Sequence, residues 1–274
     1  MRSRSSAPRL GQHFLEATWV AKVIDAIAAS PGQTVIEIGP GRGALTVPLA
    51  RRAGHVLAVE VDGVLARELQ ERVPSNVDVV HADFLALDLV ETARRLRHAG
   101  RDAPAVRVAG NLPYAVSAPI LLKLLREARA ADIRDAVLML QHEVAERVVA
   151  TAGAGTYGPL AIMTALRADA RCVLRLPPGA FRPPPRVRSA LVILRFRDPP
   201  RSPRDAPGFE ALVRRLFMQR RKQVANALLP VVRADGIDPV QLCRVAGLTP
   251  TRRPGGLTLS ELIDLSDVLT SRRR

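Results

Sequence analysis

Three short segments carry residues whose types and order can do chemistry: VIEIGPGRGALT at 35–46, HADFL at 81–85 and GNLPYAVSAP at 110–119. In the first, an apolar run feeds a turn with Gly39, Gly41 and Gly43, where backbone without Cβ atoms comes close to a ligand. Glu60 closes the next apolar run, and at that place a carboxylate accepts both hydroxyls of a ribose. This much fits any nucleoside-bearing cofactor. Gly39, Gly41 and Ala44 also satisfy the relaxed dinucleotide fingerprint, so a dinucleotide oxidoreductase stays open. Asp83, ending the third apolar run, favours S-adenosyl-L-methionine, whose adenine amino group a carboxylate there can accept; the plainer alternative is that Asp83 caps the next helix.

The third segment places Asn111, Leu112, Pro113 and Tyr114 after a fourth apolar run. An exocyclic adenine amine is a poor nucleophile because its lone pair is delocalised into the ring. A site that uses it must accept its hydrogens and favour the pyramidal form. The side-chain oxygen of Asn111 and the carbonyl of Leu112 can do so, Pro113 stiffens the loop, and Tyr114 offers a face on which an extruded base stacks. Phe181, in AFRPPPRVRSA, is a second stacking candidate on a Pro-stiffened loop, with packing on the sheet edge as the equal alternative.

These loops need elements to hold them. Short β-branched runs at Thr34–Ile38, Val56–Glu60, Val77–Val80, Val106–Ala109 and Ala136–Leu140 alternate with helix-period stretches at Gly43–Arg52, Gly63–Arg72 and Ala118–Glu127. That alternation predicts a doubly wound α/β sheet, with the loops at the carboxyl ends of its strands. Arg171–Leu176 and Val187–Phe196 predict two late strands adding an antiparallel edge. The proline-rich DPPRSPRDAPG, 198–208, marks a linker after a 1–197 domain. Beyond it, 209–274 reads as a small all-helical domain: a long amphipathic stretch Phe209–Leu229 carrying Arg220, Arg221 and Lys222, then Pro239–Ala246 and Ser260–Leu269, with Ser260 or Thr258 as cap.

The formal charge of +15, carried almost wholly by arginine, predicts a polyanionic partner, nucleic acid first. Arg220, Arg221 and Lys222 are the candidate RNA contacts; a solvated helix face is the alternative. No apolar run approaches the roughly 20 residues that cross a bilayer, and the Arg-rich start lacks the apolar core of a signal peptide, so a cytoplasmic protein with no membrane partner is expected. Cys172 and Cys243 show no metal-ligand spacing, which predicts no metal and two buried, reduced thiols. A monomer is expected.

With LGQHFL at 10–15, VEVD at 59–62, LQHEVAERVVA at 140–150, YGPL at 157–160 and FRPPPRVRSA at 181–190 added to the three loops, the chain resembles the ribosomal RNA adenine dimethyltransferases over most of its length. The resemblance implies a class I (Rossmann-like) methyltransferase sheet and S-adenosyl-L-methionine held by His13, Leu15, Gly39, Gly41, Glu60, Asp83 and Asn111. It implies catalytic roles for Asn111, Leu112, Pro113, Tyr114 and Phe181. NLPY and QRRKQVANAL look like the small-subunit branch, implying N6,N6-dimethylation of two adjacent adenines in the 3′-terminal hairpin of small-subunit ribosomal RNA as the subunit assembles. The large-subunit, macrolide-resistance branch and a non-catalytic assembly factor remain as alternatives. The chain departs from the family pattern at His142, where the family often has lysine, and at RRPGGL, 252–257, where an acidic residue is more usual; both departures bear on RNA contact.

Overall fold

The computed structural model describes residues 14–98, 106–199 and 201–273. They divide into two compact units, one of the residues up to Ala145 with Ala170–Phe196, the other of Glu146–Asp169 with the residues from Arg197 onward.

The first unit is built on seven strands, β2 (Thr34–Ile38), β3 (His55–Glu60), β4 (Val77–His81), β5 (Val106–Asn111), β6 (Ile133–Gln141), β7 (Ala168–Leu176) and β9 (Ser189–Phe196), in the order β4-β3-β2-β5-β6-β9-β7. Neighbours from β4 through β6 run parallel, and β9 lies antiparallel to β6. Every residue of β2 and β3 is buried, as continuous apolar runs require when helices cover both faces of a parallel sheet. Helices α1 (Ala17–Ile27), α2 (Thr46–Ala50), α3 (Gly63–Gln70), α4 (Leu89–His98) and α5 (Ser117–Glu127) provide that cover. The buried positions of α5, Ile120, Leu121, Leu124 and Leu125, repeat at helical spacing on one face. Chain order reverses between β2 and β5, the place where open α/β sheets leave a crevice beyond their carboxyl ends.

At the opposite ends of these strands a buried ion pair ties the sheet together. Arg107 on β5 donates from Nε and Nη2 to both carboxylate oxygens of Asp135 on β6, at 2.7 and 3.1 Å. Its Nη1 reaches the carbonyl of Ala28 and Oε1 of Gln33, both at 3.2 Å, so the loop entering β2 hangs on the same guanidinium. A two-stranded hook pairs β1 (Phe14–Leu15) with β8 (Phe181–Arg182), bringing Leu15 opposite Phe181.

The second unit is helical. It contains α7 (Pro159–Arg167), α8 (Ala206–Met218), α9 (Val224–Val232), α10 (Pro239–Val245) and α11 (Leu259–Arg272); α6 (His142–Val148) bridges the division. Its boundary differs from a single cut at 198, because 146–169 packs with the later helices. Tyr157 is buried there, donates its hydroxyl to the carbonyl of Leu257 at 3.0 Å, and meets Phe217 edge-on at 5.8 Å. The expected linker is also shorter than 198–208: α8 already begins at Ala206, with Asp205 accepting from the Gly208 amide and Pro207 in the first turn, where proline is tolerated. The long stretch Phe209–Leu229 is two helices. The amides of Val224 and Ala225, opening α9, donate to the carbonyls of Arg252 and Pro250, so the backbone leaves the helix at 219–223. Thr258 is the cap of α11, in a reciprocal box with Glu261. Cys243 is buried, but Cys172 is exposed because β7 is the edge strand of the sheet. Among the described residues no helix is long and apolar enough to cross a membrane.

Candidate active site

At the reversal of strand order lies a cavity of about 440 Å³, lined by Leu15, Glu37–Gly41, Ala44, Leu45, Val59–Asp62, Ala82–Leu85, Asn111–Tyr114, Val116 and Ile120. The three segments at 35–46, 81–85 and 110–119 therefore all reach one cavity. Its volume falls in the range of ordinary cofactor sites, roughly 300–1,000 Å³.

The floor is the turn after β2. Gly39 and Gly41 hold φ of +64° and +57°, left-handed values that a Cβ would strain, and so the turn folds back under the cavity. Glu60 fixes this turn: its Oε2 accepts from the Gly41 amide at 2.9 Å while Oε1 accepts from the Asp62 amide at 3.0 Å. Each oxygen keeps a second lone pair, so the carboxylate is oriented in advance for a further donor. Oδ1 of Asp83 caps the short turn Phe84–Ala86 through the Leu85 amide at 2.9 Å, and the residue also lines the cavity.

The opposite wall is the loop after β5. Asn111 ends that strand opposite Met139, and the Leu112 amide donates to the Met139 carbonyl at 3.2 Å. Val116 closes the turn onto the Pro113 carbonyl at 3.1 Å. The Tyr114 hydroxyl lies 3.1 Å from Oγ of Ser189, at the start of β9. Asn111, Leu112, Pro113 and Tyr114 thus stand together with Gly39, Gly41, Glu60, Asp83 and Leu15.

Phe181 is 2% exposed, belongs to the core cluster with Leu15, Ile24 and Leu176, and is not among the residues that line the cavity. His13 lies outside the described residues. Arg220, Arg221 and Lys222 belong to the second unit and are exposed on the turn between α8 and α9, where Nη2 of Arg220 donates to the Gly155 carbonyl at 2.7 Å.

Glu37 is the residue that sequence reasoning passed over. It stands in the cavity wall at 1% exposure, and its Oε2 has no hydrogen-bond partner among the described residues. Burial pushes its carboxyl up to about 7; the nearby Thr46 hydroxyl offsets part of this, and the charge of Glu60 adds to the rise. A carboxylate inside the otherwise apolar run VIEIG was the signal that could have found it.

With this geometry in view, comparison with known proteins is direct. A sequence model described as "Ribosomal RNA adenine dimethylase" matches residues 4–242. The chain is 37% identical to a Ribosomal RNA small subunit methyltransferase A from Xanthomonas campestris pv. campestris (strain B100), over 98% of this chain and 99% of that protein. It is 42% identical to the protein of the same name from Acidovorax ebreus (strain TPSY), over 80% and 83%. Among solved structures, it is similar to a dimethyladenosine transferase from Plasmodium falciparum, with a TM-score of 0.73 at 22% identity, covering 92% and 96% of the two chains. The 23S rRNA methyltransferase ErmE is similar with a TM-score of 0.65 at 26% identity, over 94% and 99%.

Proposed function

The chain belongs to the ribosomal RNA adenine dimethylase family, and from that premise we propose that it transfers methyl groups from S-adenosyl-L-methionine to N6 of two adjacent adenines in the 3′-terminal hairpin of small-subunit ribosomal RNA, in the cytoplasm, as the subunit assembles. The observation that carries the reading is the convergence on one cavity of the glycine turn with its Glu60 anchor and of the Asn111–Tyr114 loop. The small-subunit target follows from near full-length similarity to the small-subunit methyltransferases.

The cavity suits the cofactor by its volume and by its donor set. Glu60 has lone pairs left for ribose hydroxyls, Asp83 an oxygen for an adenine amine, and Gly39, Gly41 and Leu15 the close apolar and backbone contacts. Bound there, S-adenosyl-L-methionine supplies an electrophilic methyl group. The chain's own residues do the rest by positioning and charge. The Asn111 side-chain oxygen and the Leu112 carbonyl accept the hydrogens of the adenine amine and favour its pyramidal form, the Tyr114 ring stacks on the extruded base, and Pro113 keeps the loop stiff. No proton need leave before attack; one is lost to solvent afterwards. Arg220, Arg221 and Lys222 hold structured RNA through its phosphates.

The deciding experiment is nucleoside mass spectrometry on unmethylated small subunits and, separately, on large-subunit RNA, each incubated with the protein and S-adenosyl-L-methionine. Dimethyladenosine in the small-subunit sample alone is the expected result. Its appearance only in large-subunit RNA would make this a resistance-type enzyme, and RNA binding without methylation of either would favour an assembly factor.

A further inference from the structure

A ring that lines a cavity helps to orient a base only if the ring itself is held. Tyr114 is half-buried, and its two ends are fixed by different means. At the backbone, Oγ of Ser117 donates to the Tyr114 carbonyl at 3.2 Å. At the far end, the hydroxyl meets Oγ of Ser189 at 3.1 Å, with either oxygen able to donate. Ser189 is 1% exposed and takes no part in the cavity wall. It pairs with Gln141 where β9 begins, and the His142 amide donates to the Arg188 carbonyl beside it at 2.9 Å, so its backbone is anchored to the sheet.

We propose that Ser189 is a positioning residue for the reaction, holding the Tyr114 ring by its hydroxyl so that one face stays aligned with the cavity for a stacked base. The inference rests on the reading of Tyr114 as the base-binding ring. A phenylalanine stacks as well as a tyrosine, so the hydroxyl has an orienting role that a bare aromatic face does not need. A swinging ring lets the target amine miss the reactive geometry while binding of the cofactor, which relies on Glu60 and the glycine turn, is untouched.

The test is a cycle of Ser189→Ala, Tyr114→Phe and the double variant in the full chain. Each single variant is expected to lower kcat on small-subunit RNA roughly five- to tenfold, the scale of one lost hydrogen bond. The Michaelis constant for RNA should change less, and the dissociation constant for S-adenosyl-L-methionine should stay within about twofold. The double variant should be no worse than either single, because both remove the same bond. An RNA with 2-aminopurine at the target position supplies a signal that mere destabilisation does not move: quenching by stacking should weaken in both variants. Should Ser189→Ala fail to fold, Tyr114→Phe removes the same bond from the cavity side. Wild-type turnover and quenching in Ser189→Ala, or single effects that multiply in the double variant, would overturn the inference. If the wild-type protein makes no dimethyladenosine, the functional reading falls and takes the inference with it; active wild type beside an indifferent Ser189→Ala sinks the inference alone.

Discussion

Buried beside Glu60, the Glu37 carboxyl titrates near 7 rather than in the usual carboxylate range, first because burial penalises its charge. The sign for stability follows directly. The folded chain holds this proton over a span where the unfolded chain has lost it, so the contribution is intact below about 4.5, falls as pH rises, and is gone above about 7. The span corresponds to roughly 3 kcal/mol. Cofactor affinity should run the other way, because a cationic ligand in the same cavity favours the ionised carboxylate. Calorimetric titration with S-adenosyl-L-methionine should show affinity rising about tenfold from pH 6 to pH 8, and Glu37→Gln should flatten that rise. An unchanged profile in Glu37→Gln would place the titration elsewhere. Asn111 belongs to the other half of the site. Asn111→Ala should lower turnover by about a hundredfold or more while cofactor affinity changes only a few fold, the pattern of an acceptor that matters mainly in the transition state. Full activity in that variant would remove the central role of the loop.

At the scale of elements, the Arg107–Asp135 pair shows what joins β5 to β6. Asp135→Ala leaves a guanidinium buried without its bidentate partner, at a cost of about 3 to 5 kcal/mol, which thermal unfolding would register as a large drop in Tm. The cavity lies beyond the other ends of these strands, so cofactor affinity in the variant that remains folded should be little changed. This pair also shows where sequence reading stops. Arg107 and Asp135 are 28 positions apart, and nothing local marks them as partners before strand order and register are known. The strands β2, β3 and β5 were legible because buried parallel strands write themselves as apolar runs, and Thr258 because its box with Glu261 lies within one turn of helix. The break inside Phe209–Leu229 was not, since the carbonyls of Arg252 and Pro250 that take the first amides of α9 lie far along the chain. The burial of Phe181 was not legible for a related reason: a ring on a proline-rich loop reads alike whether it faces a base or the core, and its place opposite Leu15 shows only in the folded chain. The glycine turn, Glu60, Asp83 and the Asn111–Tyr114 loop, which line one cavity, could be singled out beforehand because close backbone approach and a delocalised amine each demand particular residue types.

Over the whole molecule, a charge of +15 adds a field to these local contacts. Each phosphate neutralised releases a counterion, so RNA affinity should fall roughly a thousandfold or more between about 50 and 200 mM salt if six to ten phosphates are engaged. Cofactor affinity over the same range should barely move, because the cavity proposed to hold it is lined mainly by backbone, apolar side chains and single carboxylates. The comparison separates the two ways a basic protein could hold RNA. If the exposed turn at Arg220, Arg221 and Lys222 makes phosphate contacts, replacing all three by alanine should reduce the slope of log affinity against log salt by about two to three. It should also weaken binding by a similar factor for matched and unmatched sequences, since phosphates carry no sequence. A slope equal to that of the wild type would mean the turn is a solvated surface. The dominant field would then come from arginines elsewhere on the molecule, and the second unit would support the fold without gripping the substrate.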